Sequence, residues 1–280
     1  MIMKRFLVVL FLLTSLYASA QPGVPSFYVF AGDTVRFDTY ERYERMDREL
    51  LAFTYTHQTS ILMLKRSARY FAMVTPILKA NGIPEDLKYL MVIESNLDPR
   101  AVSSAGAAGL WQFTKATAQN YGLEVNANVD ERYNIEKETE AACKYFRKAY
   151  DRFGNWMTVA ASYNAGLAGI GNRLESQKQD NALNLWLTTE TSRYMYRLMA
   201  AKMMFENPAA FGFTVTERYP LLKVRKTITV SDSNVDLVAL ATEYGLSYAE
   251  LRRANMWIMD TKLLNSSGKS YKVIIPAAGQ

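Results

Sequence analysis

Leu87-Lys88-Tyr89-Leu90-Met91-Val92-Ile93-Glu94-Ser95 is the stretch from which the rest of the chain is read. Pro84 suits the first position of a helix, and Glu85 and Asp86 suit its positive end. On such a helix Leu87, Leu90, Met91 and Glu94 fall at i, i+3, i+4 and i+7, which is one face. A carboxylate therefore sits on an apolar stripe. Burial disfavours its charged form and raises its pKa, as a general acid working near neutral pH requires. Taken alone, the residue is equally a helix-end Glu that bends to water or pairs with an Arg.

The surrounding chain limits the chemistry available. His57 is the lone histidine and Cys143 the lone cysteine of 280 residues, which leaves no internal disulfide and no Ser-His or Cys-His pair of obvious type. Cys143 lies in the helical stretch Ala141-Ala142-Cys143-Lys144-Tyr145-Phe146 and reads as a small buried apolar residue. No metal site and no cofactor are expected, and catalysis has to rest on carboxylates, hydroxyls and amides.

Residues 1–20 read as a secretory signal. Lys4-Arg5 forms a basic start, Phe6 to Leu16 an apolar middle, and Ala18-Ser19-Ala20 a small-residue cleavage pattern. The apolar run is short for a membrane span, and no other stretch reaches that length. With no cysteine at the cleavage point to carry a lipid, the expected product is an exported chain that is not a lipoprotein. The formal charge of +6 falls to +4 once Lys4 and Arg5 are removed. That excess suits an anionic polymer. No Lys/Arg cluster stands out, so nucleic acid is not the expected partner.

Along the chain, residues 21–35 read as irregular. A helical pattern runs from about Glu41 to Lys79 and is broken by Pro76 and by Asn81-Gly82. Residues 82–210 read as almost wholly helical. The expected helices are the one at Glu94, Leu110 to about Tyr121, Ile135 to Phe153, Met157 to Tyr163, and Thr191 to Phe205. After Gly212 the composition changes, with β-branched residues among Lys and Arg from Thr214 to Thr229. Two short helices and a closing strand at Tyr271 to Pro276 follow, which makes a small separate α+β module.

Four polar islands interrupt the helical region: Glu94-Ser95, Gly109-Leu110-Trp111-Gln112-Phe113, Ser162-Tyr163-Asn164-Ala165-Gly166 and Glu190-Thr191-Ser192-Arg193-Tyr194. Each alone has a plain explanation, with Trp111, Tyr163 and Tyr194 as packing, Asn164 as a helix cap and Gln112 as a surface residue. In this order they resemble the soluble-lytic-transglycosylase domain, a family related to goose-type lysozyme. The flanking Gly82-Ile83-Pro84-Glu85-Asp86-Leu87 and Asn96-Leu97-Asp98-Pro99 also fit, so the resemblance covers about residues 80–205. Trp111, where many members have Met, points to the membrane-bound lytic murein transglycosylase D type. The end of the chain resembles LysM, a module that binds N-acetylglucosamine-containing glycans. The matching residues are Thr227 to Val230, Leu237 to Leu246, Glu250 to Asn255 and Tyr271 to Pro276. The chain departs from LysM at Ser231-Asp232-Ser233-Asn234, where Gly-Asp-Thr-Leu is usual, so a structural cap is the alternative to glycan binding.

The resemblance implies a mainly α fold: a lysozyme-like helical catalytic domain over 81–210, preceded by a helical extension over 21–80. A linker over 211–225 and a LysM-like α+β module over 226–280 would follow. It implies peptidoglycan glycan strands as substrate and partner, a periplasmic or envelope-associated location, and Glu94 as sole catalytic acid and base. Ser95, Ser103, Gln112, Tyr163 and Asn164 would hold or orient the sugars, Tyr194 would hydrogen-bond near Glu94, and Glu190 would bind substrate. The bond cleaved would join N-acetylmuramic acid to N-acetylglucosamine, and the C6 hydroxyl would close a 1,6-anhydro ring. A goose-lysozyme-like hydrolase, with water in place of that hydroxyl, and a non-catalytic peptidoglycan-binding protein are the two competing expectations.

Overall fold

A computed structural model of the chain describes residues 21–277 and 279. The expected signal segment lies outside the described residues. The first element is a hairpin, β1 (Phe27–Phe30) with β2 (Asp33–Arg36), where irregular chain was expected. Ala31 and Gly32 turn it at φ 51° and 91°, and a two-residue loop with positive φ matches the twist of the paired strands.

Two helices follow, α1 (Tyr40–Tyr55) and α2 (His57–Ala80). Pro76 does not break the second, contrary to the sequence reading. It sits in the last helical turns, and the helix runs on to Asn81. A 3-10 turn (Glu85–Lys88) then leads into α3 (Tyr89–Ser95), with Pro84 just before the turn. Leu87, Leu90 and Met91 are fully buried, each contributing on the order of 1.5–3 kcal/mol of apolar transfer.

The expected helix from Leu110 is a second correction. Residues 109–112 form a turn, Phe113 bridges back to Ala108, and α4 covers only Lys115–Asn120, capped by the Thr114 side chain. Gly109 (φ 84°) and Gln112 (φ 52°) hold left-handed backbone that no right-handed helix can contain. The long helices α5 (Ile135–Phe153), α6 (Trp156–Ala165) and α8 (Thr189–Glu206) start at the side-chain caps Asn134, Asn155 and Thr188. Between the last two lies α7 (Leu167–Gln177), which the sequence reading did not separate out.

The C-terminal module pairs β3 (Val224–Val230) antiparallel with β6 (Tyr271–Pro276) and packs α9 (Leu237–Glu243) and α10 (Tyr248–Ala254) beside them. A second short pair, β4 (Asn234–Asp236) with β5 (Lys262–Leu264), was not expected. The segment before β3 is strapped to α2: Arg218 Nη1 donates to the Leu64 carbonyl at 2.7 Å and the Tyr219 N–H to that of Lys65 at 3.0 Å.

Among the described residues two buried apolar cores result. One gathers residues from Phe30 to Phe213, with Trp111, Phe146 and Tyr196 among its largest members. The other is built from the module, including Leu237, Leu251, Trp257 and Ile275, and also takes in Val129 from the helical body. The architecture is the expected one, mainly helical with a small α+β module at the end.

Candidate active site

Glu94 sits in the last turn of α3, half-buried, immediately before an unusual chain reversal. Asn96 and Leu97 both adopt left-handed backbone, at φ 51° and 55°, a conformation that costs a buried Leu energy and persists only where neighbours enforce it. Arg66 on α2 does so, donating to the Asn96 carbonyl at 3.1 Å and to Asp98 Oδ2 at 3.1 Å.

The Tyr194 hydroxyl, from α8, donates to Glu94 Oε1 at 2.6 Å. Burial dominates the electrostatics and pushes the Glu94 pKa up to about 7; the Tyr194 hydrogen bond and the Arg197 charge oppose it, and Glu190 adds slightly to it. Tyr194 is itself buried, and burial together with the Glu94 charge holds its pKa well above the usual range, so it stays a donor.

The second wall comes from α6. The Tyr163 ring packs among Phe113, Tyr145 and Phe146, and its hydroxyl donates to the Trp111 carbonyl at 2.7 Å. Its pKa is held well above normal by burial first and then by the Glu94 charge, which places it in the electrostatic reach of that carboxylate. Asn164 Nδ2 donates to Glu190 Oε1 at 3.0 Å, joining the ends of α6 and α8.

The loop at 101–113 meets Tyr163 through the Trp111 carbonyl. Gln112 Nε2 donates to the carbonyls of Ala101 at 3.0 Å and Gly109 at 2.8 Å. Exposed Ser103 accepts the Ala107 N–H on its Oγ at 3.1 Å, a bond that leaves its hydroxyl hydrogen uncommitted. Gly109 passes so close to its neighbours that a Cβ would stand 1.9 Å from the Arg132 carbonyl oxygen and 2.5 Å from Glu138 Oε2. Trp111 is fully buried, its indole N–H donating to Thr139 Oγ1 at 3.0 Å.

Of the residues singled out in the sequence, hydrogen bonds and electrostatic reach link Glu94 with Tyr163, Tyr194 and Glu190, and Glu190 with Asn164. Ser103 and Gln112 are joined by the loop that Gln112 braces. Ser95 is the exception: it is buried and donates back to the Met91 carbonyl at 2.9 Å, a bond within its own helix. Three residues escaped the sequence reading. Arg197 shares a face of α8 with Tyr194 at i+3, a signal that was available. Trp186 is 82% exposed, four residues before Glu190. Gln177 fixes its backbone on both sides, accepting the Trp186 N–H at 2.7 Å and donating to its carbonyl at 3.0 Å. Glu138 is fully buried beneath the loop and accepts the Trp111 N–H at 3.2 Å. Among the described residues no group of three or more His, Cys, Asp or Glu side chains could hold a metal ion, and no helix is long and apolar enough to cross a membrane.

Chemically, the site offers one carboxyl group poised near neutrality beside the Tyr194 hydroxyl, with Arg197 and Glu190 in its electrostatic reach. Two stretches of the chain match known family models. Residues 75–185 match the family model of the transglycosylase SLT domain, and residues 226–279 that of the soluble lytic transglycosylase C-terminal LysM-like domain. The chain thus carries an SLT transglycosylase domain and a LysM-like C-terminal domain. Among individual proteins it is homologous to the membrane-bound lytic murein transglycosylase D of Escherichia coli strain K12, with 27% identity over 260 residues, covering 89% of this chain and 55% of that protein. It is 35% identical over 124 residues to the peptidoglycan transglycosylase gp16 of Escherichia phage T7, covering 43% of this chain and 9% of that one. The chain therefore spans about half the length of the transglycosylase D it matches. Among solved structures, the 70 kDa soluble lytic transglycosylase of Escherichia coli aligns with a TM-score of 0.45 and 18% identity, covering 63% of this chain and 33% of that one.

Proposed function

We propose that the protein is a peptidoglycan lytic transglycosylase that cleaves the β-1,4 bond between N-acetylmuramic acid and N-acetylglucosamine and leaves a 1,6-anhydro ring. The observation that carries this reading is the state of Glu94. At a pKa of about 7 it holds a proton for part of the time at neutral pH and can also lose it. General acid and general base catalysis by one group require this balance.

In the first step the protonated Glu94 gives its proton to the glycosidic oxygen as the bond to C1 breaks. Tyr194 occupies Oε1, which leaves Oε2 to carry the proton toward substrate. The carboxylate that forms keeps the Tyr194 hydrogen bond and the nearby Arg197 charge. The acetamido group of the substrate stabilises the positive centre at C1. In the second step Glu94 takes the proton of the C6 hydroxyl as that oxygen attacks C1, and the ring closes with the enzyme returned to its starting form. We assign Gln112, Ser103, Asn164 and Glu190 as sugar contacts, with Tyr163 supporting the turn at Trp111. Ser95 acts through its helix. The exposed Trp186 ring offers a flat apolar face of the kind that stacks on sugars beyond the cleavage point.

We divide the chain into a helical extension to about residue 80, the catalytic domain to 210, a strap to 225 and the LysM-like module. We also place the protein at the bacterial envelope, after export directed by residues 1–20. Mass spectrometry of peptidoglycan digested by the purified protein tests the reading. Anhydro ends support it, reducing ends instead indicate a hydrolase, and intact strands indicate a binding protein.

A further inference from the structure

Segment 124–131 belongs to both halves of the molecule. On one side it holds the C-terminal module. Glu124 Oε2 accepts from Lys269 Nζ and from the Tyr271 hydroxyl, each at 3.0 Å. The Asn128 side chain donates to the Lys262 carbonyl at 2.7 Å and accepts the Leu264 N–H at 2.6 Å. Backbone bonds run from Met259 N–H to the Asn128 carbonyl and from Asp130 N–H to the Trp257 carbonyl, both at 2.8 Å. Val129 faces Ile258 in an antiparallel bridge and is fully buried in the module's core.

On the other side the same segment holds the loop at the active site. The Asp130 carboxylate, itself docked through its own N–H, grips Arg132 with two bonds, to Nε at 2.9 Å and Nη2 at 2.7 Å. The remaining fork nitrogen, Nη1, donates to the Gly106 carbonyl at 2.7 Å and the Phe113 carbonyl at 3.2 Å. Residues 103–106 are exposed. Their own bonds close only a local turn: Gly106 N–H to the Ser103 carbonyl, Ser103 N–H to that of Ala107, and Ala107 N–H to Ser103 Oγ. Among the described residues Arg132 is the one side chain from elsewhere that bonds this turn.

We propose that the LysM-like module serves as a brace for the loop at 103–113, with Arg132 as the positioning residue that transmits the docked state. A module that only tethers the protein to glycan needs no fixed docking on its neighbour. This one is bonded to it by backbone, side-chain and apolar contacts at once. The consequence for turnover rests on the transglycosylase reading above; the consequence for the loop does not.

The test uses the full chain. Ile258→Asp places a carboxylate in the buried seam, where it cannot remain without opening it. Whether the module undocks or unfolds, segment 124–131 loses its partner. Amide exchange of Gly106 and Ala107 should then rise about tenfold or more, with the central amides of α5 and α8 unchanged. On a glycan fragment too short to reach the module, KM should rise about tenfold with kcat within about twofold, whereas a general loosening of the catalytic domain would lower kcat. Arg132→Lys keeps the charge but loses the planar fork. It should reproduce the loop exchange and the KM change while Met259 N–H stays protected. If Ile258→Asp costs the chain its fold, Asn128→Ala removes two docking bonds without burying a charge and carries the same expectation. Loop exchange and KM unchanged by an opened seam would overturn the proposal. If the wild-type chain cleaves nothing, the enzymatic reading fails and the exchange measurements alone decide.

Discussion

The Tyr194 hydroxyl and Glu94 Oε1 meet at 2.6 Å although the residues lie 100 positions apart. This contact engages one of the two carboxyl oxygens and stabilises the ionised form. Burial acts in the opposite direction and outweighs both this bond and the Arg197 charge, which puts the pKa at about 7.

Glu94→Gln should abolish cleavage, with a loss of at least about 10²–10⁴-fold for a missing general acid, while glycan binding persists. Release of anhydro-muropeptides, set against co-sedimentation with peptidoglycan, is the measurement. Turnover near the wild-type rate would sink the mechanism.

The same variant should be more stable than wild type at pH 8. Glu94 has a folded-state pKa raised from 4.5 to about 7. Its contribution to stability is therefore complete below the unfolded pKa and is lost as pH rises through the folded one. A shift of that size corresponds to at most about 3 kcal/mol, less for partial solvent access. Urea titrations of both proteins at pH 4.5 and pH 8 should show the gap opening at the higher pH.

Tyr194→Phe removes the donor and keeps the ring. The Glu94 pKa should move further up, because the bond that favoured the carboxylate is gone. Proton donation then extends to higher pH, the base step weakens, and the optimum of the pH–rate profile shifts upward with kcat reduced roughly tenfold or more. An unshifted profile would show that the contact does not tune the acid.

Gly109→Ala should destabilise the fold by about 2–4 kcal/mol, since its Cβ would meet the Arg132 backbone and its φ is left-handed. Chemical denaturation measures this, and a loss under 1 kcal/mol would mean that the turn relaxes freely.

Trp186→Ala should weaken binding to long glycan strands by roughly tenfold without altering the melting temperature, because the ring is exposed and its backbone is held by Gln177. Equal affinity of the two proteins for the same strands would remove Trp186 from the glycan path.

What the sequence made legible was whatever has a local cause. Capped amphipathic helices such as Ile135–Phe153 follow from Asn134, Gly154 and a 3.6-residue stripe. The Gly-Leu-Trp-Gln turn reads as helix because its apolar residues imitate one, and non-local contacts, among them those to Arg132, Glu138 and Tyr163, hold it open. Glu138 carries the same signature as Glu94: it lines up with Ala141, Ala142 and Tyr145 at helical spacing, on a buried face. Periodicity alone could not separate the two. Glu94 retains access to solvent and a Tyr donor from a distant helix. Glu138 is enclosed, its pKa driven well above normal by burial, with Oε1 left without a partner. Ser95, a hydroxyl beside the acid, donates within its own helix, a local bond that the sequence does not distinguish from a contact with substrate.

Because Val129 is buried in one core and Asp130 and Arg132 serve the other, the boundary that matters mechanically does not lie where the chain passes from one domain to the next. A chimaera cut at 211–225 would exchange β3 to β6 and leave behind the surface they were fitted to. A graft that also carries 124–131 exchanges the seam as a unit. In a design sense the module and that segment are one part, separated by almost a hundred residues of sequence.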